Sequence, residues 1–370
     1  MTLNSFATKR SFPLARRMPN IKSAPTDLYT LEQLTEGFNP TKPRSILRTL
    51  SFRQYQGYYP IRKSANDLSR VRKASIHDAH ISEALYRYLQ TIRKRPIGFM
   101  GGHGESRSTP AYGAIARLAR VIAQAGFLVV SGGGPGIMEA AHAGAFFANA
   151  SDAEFDAILL RLAATNPSSI PHGTEGKILL NDDGTRNAEG DPDYVKALFN
   201  WYLAADNIRK SYTGRPGDSL AVSTWQYGEE PVMPFATAYA AYFENSIREQ
   251  SLVRESRAGI VYGRGKGGTV REIFQDVEEN FGLKDINIFT PMILFDLGGY
   301  WNPPKPNSDT IKLDEALANV FSRAYPPGQS GRPALDWPSK CVFETDHQRI
   351  LDLLNKQAAD TQQQFAALVA

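Results

Sequence analysis

The stretch PIGFMGGHGESRSTPAYGAIARLARVIAQAGFLVVSGGGPGIMEAAHAGAFFANA, residues 96–150, decides the fold. PIGFM is a short β-rich run that ends in glycines, after which Thr109 and Pro110 open a helix that Gly126 stops. Threonine suits an N-cap, proline the first helical position and glycine a C-terminal stop. FLVVSGGG supplies a second strand, and Pro135-Gly136 lead into a second helix, IMEAAHAGAFFANA. Such alternation of strand and helix marks parallel βαβ units.

The same alternation extends outward. Helix ISEALYRYLQTIRK (81–94) precedes the stretch. Strand SLAVSTW (219–225), helix FATAYAAYFENSIREQSLVRES (235–256), strand AGIVYGRG (258–265), helix TVREIFQDVEENF (269–281), strand PMILFDLG (291–298) and the pair CVFET and DHQRILDLLNKQAADTQQQ (341–364) follow it. The fold class expected is α/β, a doubly wound, Rossmann-like parallel sheet of about six or seven strands. Residues 151–217 break the rhythm with two helical segments, EFDAILLRLAA and the aromatic YVKALFNWYLAADNIRK, around a Gly/Asn/Asp-rich stretch, HGTEGKILLNDDGTRNAEGDPD. They read as a helical insertion capping the sheet.

Charge divides the chain differently. Residues 1–95 hold about 18 basic and about 6 acidic side chains, so this part carries roughly +12 against a net +4 for the whole. The expected division is a basic N-terminal extension over 1–80 and a Rossmann-like domain over 81–370. Leu, Tyr and Phe are mixed among the charges of the extension (LYTLEQL, FRQYQGYYPIR), which favours packing on the acidic body of its own or a neighbouring subunit. No nucleic-acid-binding motif accompanies the charge, so nucleic acid is not the expected partner. The first 26 residues have the Arg/Ser-rich composition of a targeting peptide, but Pro13, Pro19 and Pro25 break the amphipathic helix it would need. No apolar run reaches the roughly 18 residues of a membrane span. The single cysteine, Cys341, allows no internal disulfide, and the cytoplasm is the expected compartment.

In an open parallel sheet, ligands bind beyond the carboxyl ends of the strands. Three loops there are glycine-rich: Gly101-Gly102-His103-Gly104, Gly132-Gly133-Gly134-Pro135-Gly136 and Gly263-Arg264-Gly265-Lys266-Gly267-Gly268-Thr269. Glycine lets the backbone approach a ligand, and the following helix offers unpaired N–H groups and a positive dipole end, which suits a phosphate. The dinucleotide fingerprint G-x-G-x-x-G is missing, which disfavours a redox enzyme, and GRGKGGT lacks P-loop spacing.

The ordered trio SGGGPGIMEAAHAGA, NSIREQSLV and GRGKGGTVREIFQ resembles the family of LOG-type cytokinin riboside 5′-monophosphate phosphoribohydrolases and bacterial nucleotide 5′-monophosphate nucleosidases, often mislabelled "lysine decarboxylase". The resemblance spans about residues 95–300 and is greatest to the longer bacterial Rossmann-type members. It implies hydrolysis of the N-glycosidic bond of a nucleoside 5′-monophosphate, AMP-like, to free base and ribose 5-phosphate. It also implies that no cofactor is used and that the chain is a homodimer or larger homo-oligomer. The family pairs Arg-Lys with a Pro-Gly-Gly-x-Gly-Thr-x-x-Glu loop; its arginine falls on Arg248, its Gly-Thr on Gly268-Thr269 and its glutamate on Glu272. Three departures stand out: Arg264-Gly265-Lys266-Gly267 replaces Pro-Gly-Gly-x, adding two cations that suit either a second phosphate or a solvent-facing loop; Glu249 replaces the lysine; and the segment between Arg248 and the loop needs one extra residue to align.

The residues carry this chemistry on their own terms. Ribosidic cleavage passes through an oxocarbenium-like state, which calls for a carboxylate at the anomeric carbon to stabilise charge or activate water. Glu272 stands one helical turn past Thr269, and Arg248 is placed to orient it or to contact phosphate and ribose. Both are the expected catalytic residues. Expected nucleotide and phosphate contacts are Gly101, Gly102, His103, Ser108, Gly132, Gly133, Gly134, Met138, Glu139, Gly265, Gly267, Gly268 and Thr269, with Ser106 and Arg107 as further donors. Glu139 and His142 have the i, i+3 spacing of metal ligands but no matching second pair, so no metal is expected. Trp225 and Tyr227 offer either base stacking or core packing, whereas Trp201-Tyr202 read as packing. Serine hydrolysis at Ser131 lacks its elbow, and pyridoxal chemistry has only Lys266 among the glycine loops. The rival reading is a nucleotide sensor that uses the same pocket without turnover.

Overall fold

The computed structural model describes residues 25–63, 67–171, 179–181, 184–187, 192–283, 285–326 and 336–369. The targeting-like composition at the N-terminus falls mostly outside these residues, as does most of the polar stretch inside the insertion. Seven strands form one parallel sheet: β1 (Pro96–Met100), β2 (Leu128–Ser131), β3 (Ser219–Thr224), β4 (Ala238–Tyr242), β5 (Ile260–Tyr262), β6 (Met292–Leu294) and β7 (Cys341–Phe343). Their order is β4-β3-β2-β1-β5-β6-β7. The chain runs outward from β1 to β4, then crosses back to β5 and runs outward the other way. The doubly wound expectation therefore holds, and the topological switch point lies between β1 and β5, the place where such sheets bind ligands.

Helices flank the sheet: α1 (Leu31–Leu34), α2 (Leu50–Lys63), α3 (Leu68–Ile92), α4 (Pro110–Gln124), α5 (Ile137–Phe146), α6 (Asp152–Ala163), α7 (Pro192–Ser211), α8 (Asn245–Glu255), α9 (Gly267–Glu279), α10 (Asp314–Ala324), α11 (His347–Asp360) and α12 (Gln362–Val369). Helix α4 starts as its sequence indicates: the Thr109 side chain accepts from Tyr112 N, and Pro110 follows it. Gly126 ends it at φ +91. The insertion contains the two expected helices, α6 and α7. The run 314–324, which the sequence reading leaves unassigned, forms α10.

Residues 235–256 depart from expectation. They do not form one helix; ATAYAAY contains β4, and α8 begins only at Asn245. Alanine has the strongest helix propensity, but every residue of β4 is buried, and alanines interspersed with two tyrosines fit a strand covered on both faces. The edge of β4 is closed by Tyr29, whose N–H donates to Tyr239 O at 2.9 Å while Tyr239 N–H donates back to Tyr29 O at 3.0 Å. This pairing blunts the exposed edge.

Residues of the basic extension share the hydrophobic core of the body. Tyr29, Leu34, Phe52, Tyr55 and Tyr59 belong to the same buried cluster as Phe99, Val130 and Ile260. Helix α3 runs through residue 80 without a break and packs against β4, and the 3-10 turn Pro43–Arg48 packs against α7. The apolar residues between the charges are what seat this segment on the body of its own chain.

Candidate active site

The three glycine loops meet at the switch point and are tied by their backbones. Gly263 N–H donates to Met100 O at 2.8 Å, Gly102 N–H to Arg264 O at 2.7 Å and Ile137 N–H to Gly102 O at 3.1 Å. Gly136 has φ +71, and a Cβ there would strike Gly102 O, so the second loop closes against the first only with glycine. Around these loops lies a cavity of about 710 Å³. That is within the roughly 300–1,000 Å³ of small-molecule sites.

Twelve of the fifteen expected site residues line this cavity: Gly101, Gly102, His103, Gly132, Gly133, Gly134, Met138, Arg248, Gly265, Gly268, Thr269 and Glu272. Two helices open onto it without a side-chain cap at the N-terminus, α5 after Gly136 and α9 after Lys266. Ile137 N–H, the first of α5, is already taken by Gly102 O, whereas the first turn of α9 suits an anion.

Arg248 and Glu272 meet in the cavity wall. Arg248 Nη1 lies 3.2 Å from Glu272 Oε1, and its Nε donates to Val222 O, within β3, at 2.8 Å. Both side chains are about nine-tenths buried. Burial pushes the Glu272 carboxyl above the usual carboxylate range; the Arg248 guanidinium opposes that rise and the Glu249 carboxylate adds to it. The site thus holds a carboxyl that retains its proton to higher pH than an exposed glutamate, next to a fixed cation.

The other three expected contacts lie outside the cavity lining. Ser108 is exposed and bonds Ser106 Oγ at 2.9 Å, and Ser106 in turn reaches Ser168, so these hydroxyls serve the turn before α4. Glu139 is fully buried and turned away from the cavity. Arg107 Nε and Nη2 hold its two oxygens at 2.9 and 2.7 Å, while Arg107 Nη1 donates to Trp201 O and the guanidinium lies over the Trp201 ring. A bidentate pair of this kind consumes the carboxylate. Gly267 sits in the first turn of α9, exposed and outside the cavity lining, and a Cβ there would meet nothing.

The remaining candidates sort by burial. His142 Nδ1 pairs with Ser219 Oγ at 3.0 Å, and burial pushes its imidazole down to about 3, so it stays neutral. Among the described residues no group of three or more His, Cys, Asp or Glu is placed to hold a metal ion. Trp225 packs against Tyr29, His77 and Phe243 and touches the cavity from the core side. Tyr227 borders the cavity with about half its surface exposed. Trp201 and Tyr202 are buried in packing, as expected.

Several residues of the cavity carry no sequence signal. Glu230 holds His103 Nδ1 at 2.6 Å, and that bond raises the imidazole pKa against the opposing effect of burial. Tyr300 donates its hydroxyl to Gly265 O, fixing the third loop, and Arg264 lies over its ring. Leu34 and Ser51 come from the basic extension, and Ser308, Asp309 and Ile311 from the segment after β6. Only long-range folding brings them here.

Among the described residues no helix is long and apolar enough to cross a membrane. No curated protein matches the chain. A family model described as the SLOG cluster4 family matches residues 94–152, which hold β1, α4, β2, α5 and the first two glycine loops. This part of the chain is therefore similar to a superfamily of Rossmann-like proteins that includes the LOG type, with nucleotide-related function.

Proposed function

We propose that this chain hydrolyses the N-glycosidic bond of a nucleoside 5′-monophosphate, releasing free base and ribose 5-phosphate. The observation that carries the reading is the pairing of Glu272 with Arg248 at 3.2 Å in the wall of a cavity whose other boundary is three glycine loops. The 5′-phosphate binds at the start of α9, where the Gly268 and Thr269 amides and Lys266 supply positive potential. The ribose then lies one helical turn along α9, beside Glu272. Arg248, held by Val222 O, keeps that carboxyl aimed at the anomeric carbon. Glu272 is the acid–base group: its carboxyl borders the cavity beside the fixed Arg248 cation, and burial favours its protonated form. The similarity over residues 94–152 supports a nucleotide ligand.

The test is a chromatographic assay of AMP, GMP, CMP, UMP and IMP with wild-type protein and Glu272→Gln in parallel. The expected result is ribose 5-phosphate from wild type with at least one nucleotide, and a loss of about 100-fold or more in the variant. Equal product from both removes Glu272 from the reaction. Calorimetric binding with no release from any nucleotide replaces the hydrolase with a nucleotide sensor.

A further inference from the structure

The cavity has a second carboxylate. Glu249 follows Arg248 on α8, is 6% exposed, and lines the same chamber as Glu272. Its Oε1 accepts from Asn245 Nδ2 at 2.6 Å, and its Oε2 lies 3.0 Å from Arg271 Nη2. Arg271 precedes Glu272 on α9, and its side chain is 62% exposed. The contrast with Glu139 is informative. Glu139 is neutralised by a fully buried guanidinium and has no access to the cavity, whereas Glu249 is held from the solvent side and still borders it. Two acids thus face one chamber, one from α8 and one from α9, with the Arg248 guanidinium bound to the latter.

We infer that Glu249 is a second catalytic carboxylate, which takes the proton of the attacking water while Glu272 gives a proton to the departing base. The inference rests on the hydrolase reading above and extends it. The C1′–N bond breaks, its electron pair passes to the base nitrogen, and that nitrogen takes the Glu272 proton. Water oxygen bonds to C1′, and the proton it sheds passes to Glu249. Proton exchange with solvent then restores both groups. Arg248 from α8 and Arg271 from α9 act on Glu272, as does Glu249 itself, and Tyr262 from β5 lies within reach of its charge; His103, Glu105, Glu230, Arg264, Lys266 and Asp309 line the same chamber. Two acids in unlike surroundings, one hydrogen-bonded and ion-paired and one pressed toward its neutral form, are the pattern by which acid and base roles divide.

The test is the pH dependence of kcat, with AMP, GMP, CMP, UMP and IMP as probes, for wild type, Glu249→Gln, Glu272→Gln and Arg271→Gln. A base must be ionised, so Glu249 sets the limb that rises from acid pH; an acid must be protonated, so Glu272 sets the limb that falls toward alkaline pH. Glu249→Gln is expected to lower kcat about 100-fold or more, with KM within about threefold, and to remove the rising limb. Glu272→Gln removes the falling limb. Arg271→Gln, which leaves the carboxylate in place, moves the rising limb to higher pH, a readout that a packing role would not alter. If Glu249→Gln fails to fold, an unmoved rising limb in Arg271→Gln overturns the inference. Wild-type kcat and both limbs in Glu249→Gln overturn it while the hydrolase reading stands, and no release from the wild type overturns both.

Discussion

Gly132 leaves the space that the Arg248 guanidinium occupies. A Cβ built on Gly132 falls far inside non-bonded distance of Arg248 Nη2 and 2.5 Å from Met138 Sδ. The glycine of the second loop therefore does more than let backbone approach a ligand; it sets where the cation sits. Gly132→Ala is expected to push the guanidinium off Glu272 and lower turnover about 100-fold, as displacements near 1 Å do at reacting centres. Near-wild-type thermal unfolding, measured beside the kinetics, will show that the loss is local.

Glu139, by contrast, is expected to matter for stability. Removing one partner of a buried pair leaves an uncompensated charge, so Glu139→Ala should destabilise the fold by about 3–5 kcal/mol in urea titration. The double variant Arg107→Met/Glu139→Leu should recover much of that loss. At a temperature where Glu139→Ala is folded, KM for nucleotide should stay close to wild type. A rise in KM of tenfold or more would return Glu139 to the ligand site.

These two residues show what was legible in the sequence and what was not. Glycine at a strand end also serves tight βα turns, but three such loops in one parallel sheet let Gly101, Gly132, Gly133 and Gly268 be placed from local pattern. Arg248 and Glu272 are reached through the resemblance of NSIREQSLV and GRGKGGTVREIFQ to the LOG-type signature, and the structure sets them 3.2 Å apart. A glutamate in the first turn of α5 looks the same whether it meets a ligand or an arginine 32 residues earlier, and only the path of the chain through Arg107 decides. Likewise β4 is an alanine-rich run whose strand state comes from burial on both faces and from Tyr29, far upstream. Glu230, Tyr300 and Leu34 enter the cavity through long-range packing, for which no local pattern exists.

Asp276, one turn beyond Glu272, gives stability a pH dependence of its own. Tyr262 Oη donates to its Oδ2 at 2.8 Å and Asn280 Nδ2 to its Oδ1 at 3.1 Å, yet burial outweighs both and pushes the carboxyl from 3.8 up to about 8. The unfolded chain loses this proton near pH 4, whereas the folded chain keeps it to about pH 8. Between those values the unfolded state binds fewer protons, so stability falls as pH rises. The contribution is full below about pH 4 and lost above about pH 8, with a limiting slope of about 1.4 kcal/mol per pH unit. Urea midpoints across this range should fall more steeply for wild type than for Asp276→Asn. Parallel slopes would mean that Asp276 is ionised throughout.

Asp78 links the basic extension to the start of α8. Its Oδ1 accepts from Phe243 N–H at 2.9 Å and its Oδ2 from Glu244 N–H at 2.8 Å, at the junction where β4 ends and α8 begins. The carboxylate is fully buried, His77 Nδ1 lies 3.2 Å from its Oδ1, and His77 Nε2 reaches the Tyr29 hydroxyl at 2.9 Å. Arg248 N–H donates to Glu244 O at 3.1 Å, so the junction held by α3 is also the first turn beneath Arg248. An asparagine in place of Asp78 can accept only one of the two amide protons and turns an NH₂ group toward the other. Asp78→Asn should therefore lose about 1–3 kcal/mol of stability, the range for a buried donor left unsatisfied. The loss should also be placed within the structure: hydrogen exchange at the Phe243 and Glu244 amides should speed up in the variant, while amides of β1 and β2 keep the protection of the global fold. Turnover should fall with the local opening, because the backbone that aims Arg248 at Glu272 is what has loosened; uniform loss of protection across the sheet would instead make Asp78 a support of the whole core.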